Sequence, residues 1–577
     1  MGDTPLPRLA RQPGLSPTFD AETVLLGALV LYVGALVLVP LARLAFEALT
    51  PGADGQPLGV LVGQWTSSAT RRALGNTLEA SLLASLVSVA IGVLAAVALT
   101  LTDVRAKAAL AFLVLLPLLI PAQITALAWI ELAGSSSPIL QPLGLAPQPG
   151  TTNPLYSMWG IVLVMGVEHS PLVFLTVRAG LAHLPRELVE AARLGGAGPL
   201  RTLAAIVLPL ARPSIMAGAA LSFVSSIGNF GVPALLGIPG RVLMLTTLIY
   251  QRLQGFGPRA LGEVAAIALI LAGLAALGLV ARALFARRGA AALERTGGRA
   301  EPFRLGRARP AIEAALWLAL TATAVLPLLA LVAGSLVPAL GVPLGLHTIT
   351  LANYRFALFE QDATLRALRN SFGLAFAAAL VSTAVAIPIA YGVALRRSRL
   401  ARFLDAFAEA PYAIPGTVLA IAMILAFLRP LPLIGSLYGT IWILLAAYLA
   451  RFLALAVRPM VAGMQMIDRG IDEAGRLAGA GLFTRLAFII APIAAPSAVA
   501  GALLIFMVAV NELTVSALLW STGNETLGVV IFFLHTEGNT PAASAVATLS
   551  VAVTVALAAA VSVLGRNLPE GVVPWRA

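Results

Sequence analysis

Residues 187–209 read ELVEAARLGGAGPLRTLAAIVLP, and residues 470–492 read GIDEAGRLAGAGLFTRLAFIIAP. At an offset of 283 residues, Glu190 falls on Glu473, Ala191 on Ala474, Gly196 on Gly479, Ile206 on Ile489 and Pro209 on Pro492. Glu187 and Glu190 are three apart and share a helical face, while Ala191, Ala192 and Leu194 favour helix. Gly196 and Gly198 interrupt that helix, Pro199 can open another, and Pro209 marks the return into the next apolar run. The expectation is a short polar helix, a tight glycine turn and a re-entry, built twice. Alanine and glycine on such a helix leave a low surface on which another protein's side chains can seat.

Outward from these loops the chain is apolar. Of 577 residues, 59% are hydrophobic and 11% are charged, with a mean hydropathy of +0.93. A soluble domain carries about 25% charged residues, so lipid must be the bulk solvent. The apolar runs are long and continuous, whereas an outer-membrane barrel shows segments of about 10 residues with alternating polarity. The 52 glycines and 38 prolines are compatible with membrane helices, where small residues let backbones approach. With no cysteine, disulfides, thiolate metal sites and cysteine nucleophiles are excluded.

The spacing predicts an all-α polytopic membrane protein of about 12 transmembrane helices, each needing about 20 apolar residues. Six lie near 22–48, 73–102, 108–133, 157–182, 203–236 and 260–286. Six more lie near 311–336, 367–395, 403–428, 434–460, 485–520 and 541–565. The fifth and eleventh are too long for simple spans and are expected to hold re-entrant or interfacial pieces. The run from 21 to 48 exceeds the 7–15 residues of a signal-peptide core and reads as a retained first span. Asn76-Thr-Leu matches Asn370-Ser-Phe, and Pro121 matches Pro415, both at an offset of 294 residues. The chain therefore divides into a tail (1–21), a first six-span half (22–286), an arginine-rich linker (287–310), a second half (311–566) and a tail (567–577). Parallel repeats with an even number of spans keep one orientation, related by a pseudo-twofold axis along the membrane normal.

Net charge is +12, and Lys107 is the only lysine. The arginines fall in short loops between apolar runs, which reads as topology rather than nucleic-acid binding. Basic clusters at Arg8 and Arg11, Arg105 and Lys107, Arg287 to Arg307, and Arg396 to Arg402 mark one side, while 135–157 carries no charge. By the positive-inside rule both termini and the linker are expected in the cytoplasm.

Glu-Ala-Ala, three residues, Gly, nine residues, Ile-x-Leu-Pro resembles the signature loop of permease subunits of bacterial ATP-binding-cassette importers. Glu190, Ala191, Ala192, Gly196, Ile206, Leu208 and Pro209 meet it throughout. The second copy keeps Glu473, Ala474, Gly479, Ile489 and Pro492 but has Gly475 and Ala491, from which a looser or differently seated second helix is expected. The resemblance covers essentially the whole chain and implies a type I importer permease of the MetI-like fold, in fused form, in the bacterial inner membrane. It implies coupling loops (Glu187, Glu190, Ala191, Ala192, Gly196, Pro209; Asp472, Glu473, Ala474, Gly475, Gly479, Pro492) that dock two cytoplasmic ATPase subunits. It also implies a solute-binding protein on the outer face. The chain has no Gly-rich phosphate loop ending in Lys-Ser/Thr, so ATP and Mg are expected on the partner ATPases, and no cofactor, metal or catalytic residue on this chain.

The stretches Phe230 to Leu236, Leu245 to Tyr250, Asn511 to Thr514 and Glu525 to Leu527 look like those of ferric-iron permeases, with thiamine, phosphonate and polyamine permeases as close relatives. Ionisable residues inside spans carry a functional hypothesis by default. Glu168 and His169 lie midway along the fourth span, and Arg451 stands where Glu168 does in the second half. Glu168 and Arg451 are expected to approach across the pseudo-twofold axis, as a structural ion pair or a gate. Asn229, Asn511 and Glu512 either line the passage or cap helix ends. Asp405 and Glu409 are expected to partner the nearby arginines. An ion-coupled secondary transporter is the competing class, but it would not need matched loops. A membrane enzyme finds no catalytic cluster.

Overall fold

The computed structural model describes residues 21–52, 55–182, 184, 186–255, 260–292, 303–430, 432 and 435–564. Among them ten helices are long and apolar enough to cross a membrane, or twelve if each of two bent pairs counts as one span. The first half comprises α1 (Ala21–Ala48), α2 (Ser68–Leu101), the bent pair α3 (Lys107–Leu119) and α4 (Ala122–Ala133), α5 (Met158–Ala182), α6 (Arg186–Leu194), α7 (Pro199–Gly228), α8 (Leu245–Leu253) and α9 (Ala260–Ala292). The second half repeats it: α10 (Gly306–Ser335), α11 (Asp362–Ala394), the bent pair α12 (Arg399–Ala413) and α13 (Gly416–Phe427), α14 (Ile441–Gln465), α15 (Arg469–Leu477), α16 (Leu482–Val510), α17 (Leu527–Thr536) and α18 (Thr540–Leu564). The two tails before Ala21 and after Leu564, and the linker between Ala292 and Phe303, lie outside the described residues.

The third and ninth segments are not the straight spans expected. They turn through 106° and 110° at the matched prolines. Ile120 and Ile414 are extended, as a residue before proline prefers to be, and Pro121 and Pro415 cap the helices that follow. Proline elsewhere is absorbed without a break. Pro40, Pro209, Pro327 and Pro492 each stand two residues after a π-turn, at Gly34–Leu38, Leu203–Val207, Thr321–Val325 and Leu486–Ile490. Proline has no N–H and its ring presses on the carbonyl four residues back; one extra residue in the turn relieves both. Pro209 thus sits ten residues inside α7 and not at its start.

The fifth and eleventh segments stop at Gly228 and Val510 and continue as short buried pieces that end in α8 and α17. The repeated Asn-Thr/Ser pair holds those helices in place. Asn76 donates to the Leu243 carbonyl (2.9 Å) while Thr77 Oγ1 accepts from Leu245 N (2.9 Å). Asn370 donates to the Glu525 carbonyl (3.0 Å) while Ser371 Oγ accepts from Leu527 N (2.8 Å). Close helix contact comes from small residues: a Cβ on Gly92 of α2 would lie 2.7 Å from Val173 Cβ and 2.8 Å from the Ser170 carbonyl of α5.

The first helix of each half belongs structurally to the other half. In α1, Ala21 and Leu25 pack on second-half residues including Met460, Leu482 and Leu486, and Tyr32 donates to the Leu449 carbonyl at 3.0 Å. In α10, Ile312 and Leu316 pack on the first-half cluster around Leu110, Phe174 and Val177. Ion pairs of opposite polarity close both exchanges: Glu22 with Arg396 (3.2 Å) and Arg309 with Asp103 (3.7 Å). The Leu305 amide hydrogen bond to Asp103 (3.0 Å), with Arg309 beside it, holds that carboxyl below its ordinary range.

Candidate functional site

Both repeated loops fold as a nine-residue helix, α6 or α15, closed by the same left-handed glycine turn. Gly196 has φ +78° and Gly479 φ +80°. In the first, Ala197 N reaches the Ala192 carbonyl (2.9 Å) and Gly196 N the Arg193 carbonyl (3.0 Å). In the second, Ala480 N reaches the Gly475 carbonyl and Gly479 N the Arg476 carbonyl, both at 3.0 Å. This paired hydrogen bonding is a Schellman cap, and the φ it needs is why both positions are glycine. Asp468 caps the start of α15 by accepting from Gly470 N at 2.9 Å.

The cap projects large apolar side chains outward. Leu194 is 90% exposed and Leu200 82%; their counterparts at the same offset, Leu477 and Phe483, are 90% and 55% exposed. Leu188 and Ile471 form a third exposed pair. Glu187, Ala191, Glu473 and Ala474 are exposed beside them, and Glu190 and Ala192 are half-buried. Exposed leucine grouped around a carboxylate at the same place in two repeats has the composition of an interaction surface.

The loops differ in how they are anchored. Asp472, expected on the docking surface, is buried: it accepts from Arg485 Nε at 3.0 Å, and the Tyr391 hydroxyl lies 3.0 Å from both its oxygens. Arg485 also donates to the Ala480 carbonyl at 2.8 Å. In the first half Val189 and Thr202 hold the equivalent places, with Val189 in an apolar cluster and Arg193 stacked 4.6 Å over the Phe303 ring. Gly475 follows from this. A Cβ there would lie 3.0 Å from Ile489 Cδ1 and 3.2 Å from Arg485 Cδ. Of the two expectations for the second helix, looser or differently seated, the anchoring contradicts the first and agrees with the second: Gly475 makes room for the arginine that pins it.

The remaining singled-out residues gather where the helix breaks of one half meet the chain of the other. Gln123, two residues past Pro121, donates to the Asn511 carbonyl at 2.8 Å, and Pro415 is 3.6 Å from where a Cβ on Gly228 would be. Asn229 donates to Glu168 Oε2 (2.9 Å) and accepts from Val232 N (3.1 Å). His169 Nδ1 is 3.0 Å from Ser226 Oγ and its Nε2 3.9 Å from Glu168 Oε1. Asn511 bonds to Ser550 and Thr554 of α18. Glu512 caps the short Ser516–Leu519 helix, accepting from the amides of Val515 and Ser516 and from the Ser516 hydroxyl. Glu512 thus spends its carboxylate on a helix cap, while Asn229 divides its side chain between a turn and Glu168.

The ion pair expected between Glu168 and Arg451 is absent among the described residues. Glu168 is taken up by Asn229, and Arg451 instead lies against Gly416 at the second break. Glu409 pairs at 2.7 Å with Arg458 of α14 rather than with the expected Arg396–Arg402 cluster, and among the described residues Asp405 makes no ion pair. Glu131 was missed by the sequence reading: this buried carboxylate accepts from Ser544 of the other half at 3.3 Å and abuts Gly334. A carboxylate inside the run 108–133 was the signal for it.

Two stretches of the chain, residues 88–289 and 382–571, match the family described as the binding-protein-dependent transport system inner membrane component. The chain belongs to this family. Each match contains one helix break and one capped loop, so this ABC transporter permease carries the domain twice. It is similar to a probable ABC transporter permease of Sinorhizobium fredii, 30% identical over 411 residues, 70% of each chain. It is similar to a probable molybdenum ABC transporter permease of Haloferax volcanii, 31% identical over 263 residues, 45% of this chain and 88% of that one. An Fe(3+)-transport system permease of Haemophilus influenzae is 22% identical over 462 residues, 80% of this chain and 83% of that one. The permease is a multi-pass membrane protein of a family of transporters, whose partners are in general ATPases and binding proteins.

Proposed function

We propose that this permease carries both halves of the passage of an ATP-driven importer in the inner membrane, with one ATPase subunit seated on each capped loop. The observation that carries the reading is the matched exposed surface: Leu188, Leu194 and Leu200 around Glu190, and Ile471, Leu477 and Phe483 around Glu473. A surface made twice suits a partner present twice. ATP-driven closure of the ATPases then rocks the halves, because each loop runs directly into a long helix, α7 or α16. Differential binding by the ATPases to the two states supplies the shift. A solute-binding protein delivers cargo on the opposite face, and both termini lie with the loops in the cytoplasm.

For the cargo, ferric iron is supported by chain organisation, since the Haemophilus influenzae relative is similar across both halves. Among the described residues no three His, Asp or Glu side chains gather as a metal site, so the iron reading rests on similarity and on selection by the binding protein. A second reading, an oxyanion, is favoured by the unpaired Arg451 at the second break. The relative named for molybdenum belongs beside it, because that element dissolves near neutral pH as an oxyanion.

The test is uptake by proteoliposomes holding the permease, its ATPase and its binding protein. ATP-dependent accumulation that stops when Glu190 and Glu473 are replaced supports the proposal. Transport by the isolated chain without ATP would establish an ion-coupled carrier instead.

A further inference from the structure

The second helix break differs from the first in what it leaves unsatisfied. At the first, Gln123 holds the second position of α4 and donates across the seam to the Asn511 carbonyl. At the second, Thr417 holds that position in α13, fully buried, and its Oγ1 has no hydrogen-bond partner. A buried helical threonine ordinarily donates to the carbonyl four residues back, as Thr77 does to Ala73; for Thr417 that residue is Ala413, beyond the 110° turn.

Arg451 adds a charge at the same place. Its guanidinium packs on the break itself: a Cβ on Gly416 would lie 2.6 Å from Nη1 and 3.0 Å from the guanidinium carbon. Nη1 is buried without a hydrogen-bond partner, and among the described residues Arg451 has no ion pair. The residue as a whole is half-buried, with Nη1 on its buried side. Glu512, in the same half, is committed to Val515 and Ser516. Glu168, which holds Arg451's place in the first half, is bound to Asn229.

Three positive or donating features therefore lie at this break: a guanidinium, a threonine hydroxyl, and the opening turn of the twelve-residue α13 with its positive dipole end. Among the described residues no carboxylate is hydrogen-bonded or ion-paired to the guanidinium or the hydroxyl, although Thr514, two residues from Glu512, abuts Gly416. An unpaired charge away from water is costly unless a partner arrives. Arginine offers the fork that oxyanions prefer, and the helix N-terminus offers N–H groups.

We propose that the Pro415–Gly416–Thr417 break and Arg451 form an anion-contact site in the seam between the halves, taking a small tetrahedral oxyanion. The site deepens the oxyanion reading of the permease, in that its occupant would be the cargo on its way through. Glycine at 416 is part of it, since any side chain there would displace the guanidinium.

The test is equilibrium binding of radiolabelled molybdate and sulfate to the purified chain in lipid nanodiscs, with ferric citrate as a third probe and thermal unfolding read in parallel. Wild type should bind an oxyanion saturably and unfold at higher temperature as it does so. Arg451→Gln should weaken binding by about tenfold or more, the scale of a lost charge-assisted hydrogen bond. The same variant should raise the melting temperature of the anion-free protein, because it removes an unpaired charge. Arg451→Lys, which keeps the charge, should retain most of the binding, and Thr417→Val should weaken it less than Arg451→Gln. No saturable oxyanion binding to wild type, or equal binding by Arg451→Gln, would overturn the site. No ATPase enters the measurement, so failed ATPase docking with anion binding intact would count against the importer reading and leave this site standing.

Discussion

Asp472, Arg485 and Tyr391 show what one substitution pattern does to a duplicated loop. The first half packs Val189 and Thr202 where the second buries a carboxylate and a guanidinium. Removing one partner of a buried pair leaves the other charge uncompensated, which costs about 3–5 kcal/mol, whereas replacing both by apolar groups is often near neutral. Asp472→Ala or Arg485→Ala alone should therefore lower the unfolding temperature of the purified permease sharply. The double change Asp472→Val with Arg485→Thr, which writes the first half's residues into the second, should recover most of the loss. Tyr391→Phe removes a neutral donor and should cost about 1 kcal/mol. Equal, additive losses from the two single changes and their combination would show that the pair is not a unit. None of this was legible from the loop motif, where Asp472 stood beside Glu473 as one more exposed acid. Burial depends on Tyr391, 81 residues away in the chain.

At the scale of elements, the two capped helices were the most legible part of the chain. A glycine six residues past each Glu specifies its own left-handed turn, and the helix before it follows from local propensity. The surface they offer can be tested by charge. Leu194→Asp and Leu477→Asp together should leave the permease folded, since both side chains are 90% exposed. They should reduce ATPase co-purification and stimulated hydrolysis by about tenfold or more, as loss of apolar anchors does at other interfaces. Retained hydrolysis and docking in the double variant would mean the loops are not the seat. The broken helices were half legible: Pro121 and Pro415 mark a discontinuity, but proline in a membrane helix is read as easily as a kink. Four other prolines here are absorbed by π-turns, and only the fold separates the two outcomes.

At the scale of the whole molecule, exchange of first helices makes the halves interdependent. Fragments cut within 293–302 should be stable when co-expressed and should co-purify, while either alone should be degraded, because α1 lies on the second half and α10 on the first. A first-half fragment that is stable by itself in detergent would contradict that exchange. The orientation proposed from arginine placement can be read with single cysteines, since the chain has none of its own. Cysteines placed at the exposed Ala191 and Ala474 should be shielded from membrane-impermeant reagents in intact cells, and one at Thr151 should react. The reverse pattern would invert the topology.

The sequence by itself determined the repeat, the apolar segments, the two loops and the family to which they belong, because each is written in local composition, spacing or short-range turn chemistry. Only the tertiary structure decided which polar groups face one another. Glu168 and Arg451 match by offset, yet one is held by Asn229 and the other lies against Gly416. Equivalent positions in two repeats share a place in their own half, but their neighbours come from the seam, where each half meets different side chains of the other. A periodic pattern fixes the first of these and is blind to the second.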